Sequence, residues 1–332
     1  MSRRGQADDR QGAHVDMMIY YDSLQEGRWF KSLSPRLKDS ILSPFPAKKE
    51  ITGLLAKTLD YDRPDIILVD RGQPILVVER TVEVPSGHNV GQRFARLVAA
   101  AQMHIPVVYF GPFAAYKHGG ATQGPRYMNL RFFYAASQLS RIEGSAVTLV
   151  NWPVDSKYEV IKNPIKDKRM IEYLHIFFDS YGPGHLEQTS LEIMNSGFEA
   201  EQNDERKEFI SREVTNPEQY EVPPESVKIG PPESVQKGRT LPSSLGDEIV
   251  LYNVGMTYIR SDPYCGMAML YAYLYCGGMA NRTRSLVLHF PNITTAKWRE
   301  ATSARDGKSV RLYRLVSDGI LFSDGYSPKN DL

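Results

Sequence analysis

Residues 63–96 constrain this chain more than any other stretch. They read RPDIILVD, then RGQ, then PILVVERTVEVPSG, then HNVGQRFAR. An apolar run with Asp65 at its mouth is followed, fourteen residues later, by Glu79 at the end of a second apolar run. Ile75–Val78 is apolar on both faces, the pattern of a strand buried inside a sheet. At Glu79 the pattern changes. Glu79, Thr81 and Glu83 share one face because side chains alternate at period two, while Arg80 and Val82 point the other way. Ser86-Gly87 turns the chain, and Val90, Phe94, Leu97, Val98 and Ala101 then follow a helical stripe. The expectation is a carboxylate cluster at the end of a sheet, beside a helix bearing Gln92, Arg93 and Arg96.

The flanking sequence continues an alternation of strand and helix. Met17–Tyr21 reads as a short strand, followed by a loop with Trp29-Phe30. A helix is expected from Ala47 to about Leu59, with Ile51, Leu54, Leu55 and Leu59 as its buried stripe and Glu50 at its border. Ile105–Phe110 is a third apolar strand, Met128–Arg141 a helix and Ala146–Asn151 a further strand. A basic stretch, Lys162–Arg169, precedes a helix whose stripe of Ile171, Leu174 and Phe178 includes His175, read as a core histidine. Residues 195–245 are polar, acidic and Pro-rich, with PPESV at 223–227 recurring at 231–235; this segment reads as a linker or arm. Beyond it, Ile249–Ile259 reads as strand, Tyr264–Cys276 as an all-round apolar and hence buried helix, and Ser285–Phe290 and Val310–Val316 as strands. The expected organisation is a disordered arm over 1–16, an α/β core over 17–194, the linker over 195–245 and a C-terminal α/β segment over 246–332 that either forms a separate lobe or completes the main sheet.

Pro64-Asp65 followed by Glu79-x-Thr81 resembles the core motif of the PD-(D/E)xK nuclease superfamily, which includes most type II restriction endonucleases. The resemblance implies a restriction-endonuclease-like central mixed sheet flanked by helices. The order helix, strands, helix, strand read here follows that αβββαβ core, except that one of its three leading strands is not evident in the sequence. It also implies that Asp65 and Glu79 hold a divalent metal, Mg²⁺ with Mn²⁺ as a substitute. The residue two past the Glu is usually Lys in that superfamily; here Thr81 holds the place. The activity implied is endodeoxyribonucleolytic, on a short specific sequence of double-stranded DNA, with a homodimer matching a palindromic site.

The same chemistry can be argued from the residues. Hydrolysing a phosphodiester requires water to reach an anionic phosphorus and the developing charge on oxygen to be stabilised; Mg²⁺ does both, bound by one or two carboxylates plus waters and phosphate oxygens. Asp65 and Glu79 supply such a pair. The Thr81 hydroxyl can position water but cannot act as a cation. Arg93 or Arg96 can supply positive charge, and Gln92 can hydrogen-bond water or phosphate. Glu50 is either a further metal ligand or a solvated first-turn acid favoured by the helix dipole. In the segment 111–127, Lys117, His118 and Arg126 either touch DNA phosphates or belong to a long surface loop. Against all this stands a plainer reading: Asp65 as a turn residue, Glu79 and Glu83 as a solvated strand end, and Arg93 and Arg96 as their structural ion partners. Two further functional readings stay open, a nuclease-like fold that binds nucleic acid without cutting and a structure-specific repair or phage-defence nuclease.

Composition sets outer bounds. At 332 residues, 42% hydrophobic and 24% charged, the chain has the make-up of a globular protein with a sizeable core. A net charge of +1 advertises no polyanion partner globally and leaves room for a local basic groove. No apolar run is long enough to span a membrane, and the opening MSRRGQADDRQ lacks the apolar core of a signal peptide. Cys265 and Cys276, roughly 16 Å apart along one helix, are too far apart to pair. The expectation is a cytoplasmic protein with buried thiols and no membrane partner.

Overall fold

A computed structural model of the chain describes residues 17–47, 50–87, 89–116, 124–235, 241–255, 262–304 and 308–332. The chain is mixed α/β, with two main sheets and a layer of helices between them. It starts with β1 (Met17–Tyr21), α1 (Leu24–Ser32), β2 (Ile41–Pro44) and α2 (Gly53–Thr58). The strands β3 (Ile66–Asp70) and β4 (Gln73–Arg80) then form a hairpin, and α3 (Asn89–Ala101) leads to β5 (Val107–Gly111). A small pair, β6 (Ala114–Ala115) with β7 (Arg126–Tyr127), precedes α4 (Leu130–Glu143) and β8 (Val147–Asn151). The first sheet has six strands in the order β2-β1-β3-β4-β5-β8. β1–β3 and β3–β4 are antiparallel, while β4–β5 and β5–β8 are parallel. The hairpin is closed by Arg71 and Gly72, both at positive φ, as a two-residue turn between right-twisted strands demands.

The central strands are buried on both faces, and their residues divide by parity. Ile67, Val69, Val77, Val107, Tyr109 and Leu149 face α3 and α4. Ile66, Leu68, Leu76, Val78, Val108 and Phe110 face a second cluster with Phe30 of α1 and the apolar stripe of α5 (Lys168–Ser180). That cluster also takes Ile193 from α6 (Leu186–Met194) and Phe198 from α7 (Gly197–Glu213).

The C-terminal part does not extend this sheet. β9 (Val227–Gly230), α8 (Pro232–Val235), β10 (Ile249–Asn253) and α9 (Asp262–Tyr275) are followed by β11 (Ser285–Phe290), α10 (Thr295–Ala304) and α11 (Lys308–Val316). β12 (Gly319–Phe322) and β13 (Tyr326–Pro328) close a second, five-stranded sheet in the order β13-β12-β11-β10-β9. α9 lies between the sheets and packs on α3 at a glycine crossing: a Cβ on Gly266 would sit 2.0 Å from the Gly91 carbonyl oxygen. The two sheets therefore share one hydrophobic core. The thiols of Cys265 and Cys276 are buried in it, and burial pushes the Cys276 thiol up to about 12. No helix among the described residues is long and apolar enough to cross a membrane.

Several sequence expectations need correction. Trp29-Phe30 lies in α1, whose start is a capping box between Ser23 and Glu26, not in a loop. The helix expected from Ala47 is confined to Gly53–Thr58, because Gly53 begins it at a φ of +64, which breaks continuity with the residues before it. The stretch read as a linker holds α7, a helix capped by Ser196 that buries Phe198, Gln202, Arg206 and Phe209; it also supplies β9 to the second sheet. Val310–Val316 is helical, burying Val310, Tyr313 and Val316 at helical spacing, and the strand is the next segment, GILF. The strand from Ile249 ends at Asn253. His175 is exposed: α5 buries Met170, Tyr173, Leu174, Phe177 and Phe178, so the histidine lies just off the stripe. The arm at 1–16 lies outside the described residues.

Candidate active site

The antiparallel register Ile66↔Val78 puts the residue before β3 and the penultimate residue of β4 side by side at one end of the sheet. These are Asp65 and Glu79. Asp65 is 7% exposed; its Oδ2 accepts the Arg80 backbone N–H at 2.7 Å. Glu79 is fully buried, on the face toward α3. Arg80 points to the opposite face, where its guanidinium lies 4.4 Å from the Trp29 ring centre and 4.9 Å from that of Trp152. That aromatic clamp fixes the strand end from which both acidic groups are held.

α3 delivers two cations to the acids. Arg93 and Arg96 are one turn apart and so share a helix face. Arg96 Nη1 donates to both oxygens of Glu79, at 2.9 and 3.2 Å, and to Asp65 Oδ1 at 3.4 Å; its Nε reaches Asp62 Oδ2 at 3.4 Å. Arg93 Nη1 donates to Glu79 Oε1. The Arg93 side chain keeps 27% exposure, against 17% for Arg96.

Burial outweighs the arginines at both acids. Burial, then repulsion from Asp65, pushes the Glu79 carboxyl up to about 8 in spite of both arginines. Burial raises Asp65 to about 6, opposed by the Arg80 N–H and by the arginines. A buried pair of acids is a place where a dication that keeps most of its coordination in water, as Mg²⁺ does, would favour the ionised carboxylates. Asp65 and Glu79 fit that role as two donors. Among the described residues no group of three or more His, Cys, Asp and Glu is placed to hold a metal.

Tyr109 of β5 is the residue that sequence reading passed over. It is the registered neighbour of Glu79 on the adjoining strand, fully buried, with a hydroxyl that has no hydrogen-bond partner among the described residues. Burial pushes that phenol well above its ordinary value. Gly111 makes room for it, since a Cβ there would meet the hydroxyl at 2.4 Å. The available signal was parity: Tyr109 sits two residues before Gly111 in a parallel strand beside β4.

The remaining candidates are placed as follows. Thr81 is buried, but its hydroxyl is engaged with Glu83, donating to the carbonyl at 3.2 Å and accepting the N–H at 3.1 Å. Gln92 is half-buried on α3, with its backbone nitrogen close against Gly266 of α9. Glu50 is exposed and lies outside α2. Arg126 donates to Ser86 Oγ at 3.4 Å, near Glu83 and Asn89 at the start of α3. Lys117 and His118 lie outside the described residues.

No family model matches the chain, and neither a curated protein nor a solved structure gives a significant match.

Proposed function

We propose that this protein is a Mg²⁺-dependent endodeoxyribonuclease of the restriction-endonuclease type. One observation carries the reading: the buried pair Asp65 and Glu79, on adjacent strand ends and bridged by Arg96. Asp65 and Glu79 would hold the metal, which supplies Lewis-acid charge and a more acidic water. Mn²⁺ would substitute. Arg93, the more exposed guanidinium on Glu79, takes the cationic role that Thr81 cannot fill, contacting the scissile phosphate as a planar fork. Arg96 holds the two carboxylates in register. Thr81 supports the strand end through its turn with Glu83, and Gln92 is a water or phosphate contact beside Arg93. Double-stranded DNA is the substrate, and a homodimer would pair two such sites across a palindrome.

The test is cleavage of supercoiled plasmid by Asp65→Asn and Glu79→Gln, which keep side-chain shape. Both are expected to lose roughly 100-fold or more in rate, several kcal/mol of transition-state stabilisation. Cleavage by both variants at the wild-type rate would remove this site from the mechanism.

A second reading, a nuclease-like fold that binds DNA without cutting it, is favoured by one feature: the Glu79 oxygens are already engaged by both guanidiniums. It predicts DNA affinity indifferent to Mg²⁺ and intact plasmid at any protein concentration.

A further inference from the structure

Beside the acidic pair lies an open cleft of about 760 Å³, within the range of sites that take a small molecule or one unit of a polymer. Arg96 is in its wall, so the cleft is continuous with the site holding Asp65 and Glu79. Two other arginines line it from separate parts of the fold. Arg63 comes from the segment leading into β3, with its guanidinium 5.2 Å from the Phe45 ring centre and a loose contact, 3.7 Å, to Asp22. Arg311 comes from α11 in the C-terminal lobe and donates to the Asp60 backbone carbonyl, a neutral acceptor that leaves its charge uncompensated by that bond.

From this juxtaposition we infer that the C-terminal lobe completes the substrate cleft: Arg311 and Arg63 bind backbone phosphates of the nucleic-acid strand next to the one cut. This rests on the nuclease reading for the identity of the strand, and it adds two contacts and a role for the second lobe. Guanidinium is the group suited to the occupant, since its planar fork matches two phosphate oxygens and it is weakly hydrated. Arg96 is committed to three carboxylates, and Arg63 and Arg311 flank it around the cleft. The acids in the wall oppose an anion. The nearest to Arg63, Asp22, is more than half exposed, and an exposed pair of this kind is worth about 0–1 kcal/mol, so phosphate can displace it.

Salt dependence counts phosphate contacts directly. A fluorescein-labelled, blunt-ended DNA duplex of random sequence is titrated with full-length protein in EDTA, between roughly 50 and 200 mM salt. Relative to wild type, Arg311→Ala and Arg63→Ala are each expected to reduce the slope of log affinity against log salt by about 0.9. Arg311→Lys should keep the slope that Arg311→Ala loses, which separates lost charge from a disturbed α11. Asp22→Asn should tighten binding by removing a competitor for Arg63. Unchanged slopes in both alanine variants, with unfolding midpoints like wild type, would overturn the inference even if plasmid is cut. Reduced slopes with no cleavage under any condition would uphold the two phosphate contacts and the part the C-terminal lobe plays in them, and remove the nuclease reading instead.

Discussion

At the scale of single residues, Glu79 and Asp65 tie the stability of the fold to pH. Its carboxyl holds a proton more tightly in the folded chain, up to about 8 against an ordinary value of 4.5, and Asp65 does so up to about 6 against 3.8. A group that binds its proton more tightly when folded stabilises the fold at low pH. That contribution is complete below the unfolded values, declines as pH rises, and is gone above about 6 for Asp65 and about 8 for Glu79. Urea unfolding between pH 5 and 8 is therefore expected to show these groups lowering stability as pH rises, with Glu79→Gln flattening the slope between 6 and 8; an equal slope in wild type and variant would contradict the assignment. Asp65 and Glu79 were legible in the sequence because polar residues interrupt an apolar run where a strand ends. Tyr109 was not, because a phenol inside IPVVYF reads as ordinary core; only the pairing of β5 with β4 sets it opposite Glu79. Thr81 was legible as a position and misleading as a group, since its hydroxyl turns to the Glu83 backbone.

At the scale of elements, α3 links the two halves of the molecule. One face carries Arg93 and Arg96 to the acids, while Gly91 lets α9 approach backbone to backbone. Gly266→Ala places a methyl against the Gly91 carbonyl and cannot be accommodated by a rotamer change. It is expected to destabilise the fold by about 1–3 kcal/mol, the usual range for overpacking, and to weaken DNA binding by displacing both arginines. An unfolding midpoint equal to wild type would mean that the crossing is looser than described. Elements were legible where apolar periodicity was strong: β3, β4, α3 and α9 fall close to where the sequence puts them. α7 was hidden because its buried face includes Gln202 and Arg206, so it looks like polar linker. α11 was misread because its apolar residues are dense enough to satisfy a strand pattern as well as a helical one.

At the scale of the whole molecule, two sheets share one helical layer, an arrangement not distinguishable in the sequence from a detached lobe, since it depends on helix faces meeting across a long separation. The consequence is functional: the cleft beside the acidic pair is walled by residues from both parts. Binding of a dication to the acidic pair should stabilise the whole assembly as one unit, by about 2.7 kcal/mol at a hundredfold excess over the dissociation constant. Thermal unfolding in Mg²⁺ and in EDTA is expected to show a single transition that moves upward with metal in wild type and stays fixed in Glu79→Gln; a shift of equal size in both would place the metal elsewhere. The central claim is met most directly by incubating wild-type protein with supercoiled plasmid in Mg²⁺, in Mn²⁺ and in EDTA. Discrete, metal-dependent fragments that vanish in EDTA are expected. Plasmid left intact with both metals, by protein that binds the same DNA equally well in EDTA, would contradict the claim.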